Sequence, residues 1–274
     1  MTEIALTDIF QIDNPSTFKL HAARWNHEEQ PLNVFVRSRE DWIGWNTWRN
    51  PRNEFGRPYI FSLIDFYHEQ ETWLFGGAFE VLSRGFEVNC HSYKIKELPQ
   101  FSPYTGRLKI SMPKPSRGRA FYLENHLELM SVKEILQTEY SGQVFPGYEH
   151  INHDFSELEP IFRREKIDWK AALKNVKGVY LITDKSNGKR YVGSAYGGQG
   201  LWSRWSCYIG TGHGWNDELT QLIQSNGFQY AQKNFRLSLL EYRPMKTDDN
   251  EIIARESFWK EVMFSRGEFG YNKN

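Results

Sequence analysis

The clearest pattern of hydrophobic and polar positions in the chain lies in residues 178–193, GVYLITDKSNGKRYVG. Side chains alternate with a period of two over 179–183, which is typical of a β-strand. A Ser-Asn-Gly turn follows at 186–188, and these residue types tolerate the positive φ that tight hairpin turns need. The pattern therefore predicts a two-stranded hairpin whose pairing brings Tyr180 near Tyr191.

A second group of strand patterns begins at Tyr59. The segments YIFSLIDFY, TWLFGGAFEVL and FEVNCHSYKI are rich in aromatic and β-branched residues and are separated by turn residues. Gly76 and Gly77 interrupt the second segment, which indicates a bulge or bend of the kind that curls a small sheet. We therefore expect a β-rich, barrel-like N-terminal domain with helices, which resembles at the level of fold the small PUA-like barrels that read nucleic acid.

Three tryptophans before these strands recur at intervals of three residues, which suits one face of a short helix ended by Pro51. A surface pocket of aromatic rings here would stack an extruded, modified DNA base. An ordinary core packed around the same rings is the alternative, and the sequence leaves both open. The aromatic residues that such a pocket would use are Trp42, Trp45, Trp48, Tyr59, Phe61 and Trp73.

A basic stretch covers residues 98–123, which contain no Asp or Glu. Its proline and glycine residues predict that much of it is loop. A basic loop is a candidate for contacts with DNA phosphates, and solvated surface charge is the alternative. The candidate residues are Arg107, Lys109, Lys114, Arg117 and Arg119.

The last helical pattern places one carboxylate on an apolar face. Ile252, Glu256, Trp259 and Met263 fall on a single stripe of this helix. A lone carboxylate on such a stripe is costly to bury unless it pairs with a cation or binds a metal. The stripe alone leaves pairing with an arginine and metal binding both open.

The composition narrows the class of protein. Hydrophobic residues make up 39% of the 274 and aromatic residues 16%, which is enough to bury real cores and argues against disorder. Apolar runs of membrane-spanning length and a secretory signal pattern are both missing from the sequence. Cys90 and Cys207 are too few for a disulfide framework. We expect a cytoplasmic protein with no membrane partner.

The net charge of zero hides an asymmetry between two parts of the chain. Residues 166–274 contain 16 Lys and Arg against 11 Asp and Glu, whereas residues 1–165 contain 18 against 23. The net charges are therefore +5 and −5, and we expect two domains with a boundary near residue 165. The basic C-terminal domain is suited to meeting a phosphate backbone, although compositional scatter would also explain the split.

Five positions in the C-terminal part resemble the signature of the GIY-YIG nuclease superfamily. The segments GVY and YVG place two tyrosines eleven positions apart, and LWSRWSCYI, RESFWKEVM and GYNKN follow in the order of the family. The resemblance implies an α+β fold in residues 166–274, with a small mixed sheet flanked by helices. The matching residues are Tyr180, Tyr191, Arg204, Glu256 and Asn272.

The resemblance implies phosphodiester hydrolysis with one divalent cation per active site, Mg²⁺ or Mn²⁺, bound by Glu256. Arg204 would bind the scissile phosphate through its planar guanidinium. Tyr180 would act as the general base, with Tyr191 positioning it. The pKa of a free tyrosine is about 10, so Arg204 and the metal would have to lower it.

Two further positions follow from the same resemblance. Tyr208 stands on the first helix where some members of the family have histidine and others tyrosine, which leaves open which group takes the proton from water. Asn272 would orient the glutamate or the nearby backbone.

The resemblance therefore implies a metal-dependent endonuclease that cleaves double-stranded DNA; we expect it to be of the restriction type, with residues 1–165 selecting the target. A single-metal site cuts one strand, so a duplex needs a homodimer, a transient dimer on DNA or two visits. A homing or repair endonuclease is an alternative within this class. The alternative from another class is a non-catalytic DNA-binding protein built on a nuclease fold.

Overall fold

The computed structural model describes residues 3–273 and shows an α+β protein, which confirms the predicted fold class. The chain divides into two compact units, Met1–Tyr140 and Ser141–Asn274. This division falls earlier in the chain than the boundary expected near residue 165. Within residues 3–273, no helix is long and apolar enough to cross a membrane.

The N-terminal unit is β-rich with two helices, as the strand patterns predict. Its elements are β1 (Ile4–Ala5), β2 (Phe18–Ala23), α1 (Pro31–Arg37), α2 (Arg39–Thr47), β3 (Trp48–Arg49), β4 (Tyr59–Asp65), β5 (Thr72–Arg84), β6 (Cys90–His91), β7 (Tyr93–Glu97), β8 (Leu108–Ser111), β9 (Ala120–Tyr122) and β10 (Ser131–Ile135). Eight of these strands form one sheet with the order β1-β10-β8-β5-β4-β2-β9, and β7 pairs with β5. Strands β2 and β4 are parallel because α1 and α2 connect them, and the other pairs are antiparallel.

The glycine pair in β5 forms the predicted bulge. The pairing of β4 with β5 skips Gly76, because Ser62 lies opposite Gly77 and Leu63 lies opposite Phe75. The Trp42 indole packs directly on Gly76 and donates a hydrogen bond of 2.7 Å to its carbonyl oxygen. A side chain at position 76 would collide with this ring, so the bulge and the tryptophan position each other.

A polar cluster lies inside this unit. The His21 imidazole contacts the Asn46 carboxamide at 2.8 Å, and the Ser62 hydroxyl donates to the same carboxamide oxygen at 2.7 Å. All three side chains are fully buried. Burial lowers the pKa of His21 to about 3, so the imidazole is neutral at physiological pH and needs no counter-ion.

The C-terminal unit is a four-stranded antiparallel sheet with helices packed against it. Its elements are β11 (Asn152–Asp154), α3 (Phe155–Arg163), α4 (Ile167–Lys174), β12 (Val176–Asp184), β13 (Arg190–Ala195), α5 (Gly200–Thr211), α6 (Asp217–Asn226), α7 (Phe228–Asn234), β14 (Phe235–Pro244) and α8 (Asp249–Val262). The strand order is β11-β14-β12-β13. Strands β12 and β13 form the predicted hairpin.

Long-range contacts explain why the division falls near residue 140. Strand β11 pairs with β14, with Asn152 opposite Ser238. Helix α3 buries Phe155 and Leu158 in the same hydrophobic core as Trp205. Residues 141–165 therefore complete the C-terminal sheet and core, although no local pattern in these residues indicates their partners.

Candidate active site

The hairpin places two tyrosines on one face of the sheet. Tyr180 lies opposite Gly193, and Tyr191 lies opposite Ile182, so the two tyrosines are diagonal neighbours. A Cβ atom at Gly193 would lie 2.5 Å from the Tyr180 hydroxyl and 2.8 Å from the Tyr191 ring. The glycine of YVG is therefore required because both tyrosine rings occupy the space beside it.

Arg204 on α5 is held by three hydrogen bonds within the unit. Its Nε donates to the Tyr180 hydroxyl at 3.0 Å, Nη1 to the carbonyl oxygen of Gly214 at 2.8 Å, and Nη2 to the Tyr208 hydroxyl at 3.1 Å. A guanidinium has five N–H donors, so these bonds account for three of them. Burial opposes the charge, but interactions with the hydroxyls of Tyr180 and Tyr208 outweigh it and raise the pKa of Arg204. The group is a fixed cation.

The structure does not favour Tyr180 as the general base. Its ring is fully buried, and its hydroxyl is occupied by Arg204 and donates to the Tyr208 hydroxyl at 3.1 Å. Burial raises the pKa of Tyr180, and the opposing effect of Arg204 is smaller. Burial likewise raises the pKa of Tyr208. Arg204 alone therefore does not bring the pKa of Tyr180 below that of a free tyrosine.

An open cleft of about 550 Å³ adjoins this cluster. Four side chains of chemical interest reach its wall: Tyr191, Ser194, Arg204 and Glu256. A glycine-rich loop, residues 196–200, forms another side. Tyr180 and Tyr208 lie behind Arg204 rather than on the wall. Of the predicted residues, the cleft therefore brings together one tyrosine, the arginine and the glutamate.

Glu256 is presented to the cleft by α8, on the face predicted from the apolar stripe. Ile252, one turn earlier, is fully buried, so this face packs onto the sheet. One carboxylate oxygen of Glu256 accepts a short hydrogen bond from the Ser194 hydroxyl of β13. The other oxygen pairs with the Lys260 ammonium at 2.7 Å. The partner is thus a lysine on the same helix and not an arginine.

Ser194 and Lys260 are site residues that the sequence analysis did not identify. Lys260 follows Glu256 by four residues, and this spacing on a helix is a recognisable signal for an ion pair. Ser194 follows YVG directly and faces away from Gly193, but nothing local shows that α8 packs against it. Its contact with Glu256 comes from the tertiary fold.

Glu256 offers a single carboxylate to a divalent cation, and the Lys260 ammonium now pairs with it at 2.7 Å. Mg²⁺ is commonly held by one or two carboxylates together with substrate phosphates and water, and Glu256 is a single carboxylate on an open wall. Residues 3–273 contain no cluster of three or more His, Cys, Asp or Glu side chains able to form a metal cage. A cation bound here would therefore depend on Glu256, water and substrate.

Asn272 supports the strand that carries Tyr191. Its carboxamide accepts a hydrogen bond from the backbone N–H of Val192 and donates one to the carbonyl oxygen of Val192, both at 2.8 Å. Strand β13 is the last strand of its sheet. The asparagine therefore satisfies backbone groups that the sheet leaves unpaired, and it acts on the backbone rather than on Glu256.

The aromatic candidates of the N-terminal unit do not line up as a pocket. Trp42 is fully buried, as are Phe61 and Trp73. Trp45 is half-buried against the Trp42 cluster, and Trp48 lies in β3 beyond the end of α2. The spacing of three reflects a helix packed into the core, and this arrangement removes Trp42 from any open pocket.

The basic candidates of the same unit are largely neutralised. Lys109 pairs with Glu69 at 2.6 Å and with Glu134 at 2.9 Å. Lys114 pairs with Asp65, and Arg119 with Glu54 at 2.8 Å. Arg107 donates to two backbone carbonyls, whereas Arg117 is exposed. The acid-free stretch thus recruits carboxylates from other segments, which reduces its value as a phosphate clamp.

Comparison with known proteins gives one kind of match. No protein-family model matches the chain, and no curated protein sequence does either. Among solved structures, the catalytic domain of the homing endonuclease I-TevI is 31% identical, and the match covers 36% of this chain and 98% of that domain, with a TM-score of 0.28. A point mutant of the same domain, described as an intron endonuclease, is 28% identical over 36% of this chain and 94% of its own, also with a TM-score of 0.28. Over about a third of its length, this chain is similar to the catalytic domain of a homing endonuclease.

Proposed function

We propose that the protein is a metal-dependent DNA endonuclease that hydrolyses phosphodiester bonds in the cleft of its C-terminal unit. The observation that carries this proposal is that a fixed guanidinium, a tyrosine side chain and a carboxylate line one open cleft, through Arg204, Tyr191 and Glu256. Each group has a use in hydrolysis of a phosphodiester. A non-catalytic DNA-binding protein would have no need of the carboxylate in a cleft that receives an anion.

Arg204 binds the phosphate in this mechanism. Three donors of its guanidinium are held by Tyr180, Tyr208 and Gly214, and the remaining N–H groups serve the non-bridging phosphate oxygens. Because the protein fixes the fork before substrate arrives, little reorganisation is needed as negative charge grows in the transition state. Tyr180 and Tyr208 position the arginine.

Tyr191 and Glu256 act on the other two partners of the reaction. The Tyr191 hydroxyl orients the attacking water, since it is the predicted tyrosine that reaches the cleft. Glu256 would hold the divalent cation, and the Lys260 ammonium, which pairs with the carboxylate at 2.7 Å, would have to move away from it. A cation bound at Glu256 would supply positive charge to the scissile phosphate and the leaving oxygen.

Mutation should distinguish the roles of the two hairpin tyrosines. Tyr191→Phe is expected to lower the rate of cleavage by about 10²-fold with little change in stability, because it removes a hydroxyl from the cleft wall. Tyr180→Phe removes two buried hydrogen bonds, to Arg204 and to Tyr208, and should cost about 1–3 kcal/mol of the free energy of unfolding, with a smaller loss of rate. Single-turnover cleavage and the Tm of each variant measure both effects. If Tyr180→Phe were slower than Tyr191→Phe at an unchanged Tm, Tyr180 would be the base.

A plasmid assay tests the function itself. Supercoiled DNA should be nicked or linearised with Mg²⁺ or Mn²⁺. It should stay intact with EDTA, because the cation supplies positive charge that the Glu256 carboxylate cannot supply. Binding of the same DNA in EDTA serves as the control for a folded protein. Binding without cleavage at any divalent cation would favour the non-catalytic alternative.

We further propose that the N-terminal unit selects the DNA target, as in a restriction enzyme. The support is that the charged groups of the C-terminal cleft, Arg204 and Glu256, suit a phosphate and a cation, and contacts with these carry no sequence information. The plasmid assay on DNA with and without base modification examines this step. Equal cleavage of both would remove base modification as the target and leave sequence or structure as the determinant.

A further inference from the structure

The loop between α5 and α6 is fixed onto the arginine of the cleft. The carbonyl oxygen of Gly214 accepts the Nη1 hydrogen bond of Arg204 at 2.8 Å. Gly214 has φ +56°, and its Cα packs so closely on the Tyr208 ring that a side chain at this position would collide with it. The Gly214 N–H donates to the Thr211 hydroxyl at 2.8 Å. The residue that follows Gly214 is therefore held at a set place beside Arg204.

That residue is Trp215, and its indole projects into solvent. Its exposed fraction is 74%, compared with 55% for Trp25 and 37% for Trp48. Its backbone has φ +62°, a conformation that bulky side chains rarely adopt and that costs free energy. A strained residue therefore carries a large apolar ring in water, one position along the chain from the Gly214 carbonyl that binds Arg204, although Trp215 does not line the cleft itself.

Local structure explains how Trp215 is held but not why it is a tryptophan. The backbone N–H of Trp215 donates to the imidazole Nδ1 of His213 at 3.0 Å. The indole and imidazole rings meet edge to face, with their centroids 5.1 Å apart. The next residue, Asn216, caps α6. A hydrophobic residue before such a cap often packs on the fourth residue of the helix, but here that residue is Thr220 and the indole stays exposed.

Phe264 provides a contrast within the same unit. It is also exposed, at 69%, and has φ +49°. However, Phe264 directly follows the C-cap Met263 of α8, where helices commonly end with one left-handed residue. Its conformation has a structural reason. At the end of α5 the corresponding position is filled by Gly212, with φ +79°, so Trp215 lacks this reason.

We infer that Trp215 is a nucleotide-stacking residue, which places a base of the DNA strand beside the phosphate held by Arg204. This inference rests on the proposed endonuclease function and extends it. The ligand class is a nucleobase offered by its flat face, because an exposed indole binds such a face without regard to sequence. The preferred substrate is accordingly DNA with an unstacked base next to the cut, since stacking on an indole competes with stacking in the duplex.

Three variants of the full-length protein test the inference. Trp215→Gly removes the ring and tolerates the positive φ, so folding is preserved by design. Trp215→Phe keeps an aromatic face. Phe264→Ala is the matched control, because it removes another exposed aromatic ring with positive φ from the same unit. Affinity is measured with a labelled duplex of mixed sequence in EDTA over a salt series, cleavage with plasmid and Mg²⁺, and folding by Tm.

The expected result is a loss of affinity by about 5- to 100-fold in Trp215→Gly, the size of one base-stacking contact. The salt dependence should stay unchanged because no charge is removed, and the Tm should stay equal or rise. Trp215→Phe should keep most of the affinity, and Phe264→Ala should match the parent. Quenching of tryptophan fluorescence by acrylamide should fall on DNA binding in the parent and fall less in Trp215→Phe.

Different results separate this inference from the proposed function. Parental affinity and cleavage in Trp215→Gly would overturn the stacking role, as would an equal loss in Phe264→Ala. A lower Tm in Trp215→Gly together with weaker binding would make Trp215 a structural residue and overturn it too. A parent protein that binds duplex but never cuts would overturn the endonuclease function alone, and the affinities would still decide the role of Trp215.

Discussion

Replacement of Glu256 by glutamine is expected to abolish measurable plasmid cleavage, a loss of at least about 10³-fold, while the protein still binds DNA. Glutamine keeps the volume of the side chain and can still accept the hydrogen bond from Ser194, but it carries no charge to hold a cation. DNA affinity should be equal or higher because one negative charge leaves the cleft. The lost ion pair with Lys260 is worth about 1 kcal/mol or less, so the variant should fold.

Glu261→Gln is the matched control for this prediction. It makes the same chemical change on the same helix, but Glu261 is exposed and does not reach the cleft. Its nearest cation, Arg266, lies 3.9 Å away, so little stability depends on it. The measurement is the cleavage rate against Mg²⁺ concentration for both variants. Metal-dependent cleavage that persists in Glu256→Gln would show that the cation is held elsewhere.

Local patterns were sufficient for the parts of the site that lie within one element. The alternation in residues 179–183 predicted β12, and the apolar stripe predicted that Glu256 shares one face of α8 with Ile252. These predictions need only the periods of a strand and a helix. The ion pair of Glu256 with Lys260 belongs to the same class, since i to i+4 neighbours on a helix are readable from the sequence alone.

The strand and helix periods did not predict how deeply each tyrosine is buried. Tyr180 and Tyr191 share a face, but α5 covers Tyr180 with Arg204 and Tyr208 while Tyr191 stays on the cleft wall. Tyr191 is also buried, with an exposed fraction of 7%, and how much of each ring is covered depends on where a helix from elsewhere in the chain packs. The assignment of Tyr180 as the base therefore rested on the resemblance alone, and its burial and its bonds to Arg204 and Tyr208 argue against it.

The N-terminal unit shows the same limit more strongly. The spacing of Trp42 and its neighbours predicted a helical face, but a core and a base pocket use the same spacing. The structure fills the core because Gly76 leaves room for the Trp42 ring. Similarly, the lack of acidic residues in 98–123 did not predict that carboxylates from other segments pair with the cations of this stretch. These carboxylates are Glu54, Glu69 and Asp65.

Substitutions of Arg204 should separate the effect of its charge from the effect of its geometry in the cleft. Arg204→Lys keeps the positive charge but cannot reproduce three hydrogen bonds in three directions, to Tyr180, Tyr208 and Gly214. We expect the cleavage rate to fall by about 10²- to 10³-fold, the size of one preorganised transition-state contact. Arg204→Ala should fall at least as far and also lose about 1–3 kcal/mol of the free energy of unfolding, because buried polar groups lose their donor.

The measurement is single-turnover cleavage at saturating DNA, with DNA affinity and Tm recorded for the same proteins. Arg255→Lys is the control, since Arg255 pairs with Glu241 at 2.8 Å and does not reach the cleft. A parental rate in Arg204→Lys would mean that charge alone is sufficient and that the fixed fork has no catalytic role. If the variants lost rate only to the extent that a lower Tm reduces the amount of folded protein, Arg204 would be a structural residue. Slow cleavage with a Tm close to that of the parent is the result that a preorganised phosphate-binding arginine requires, because the geometry lost in Arg204→Lys then acts on the transition state and not on the fold.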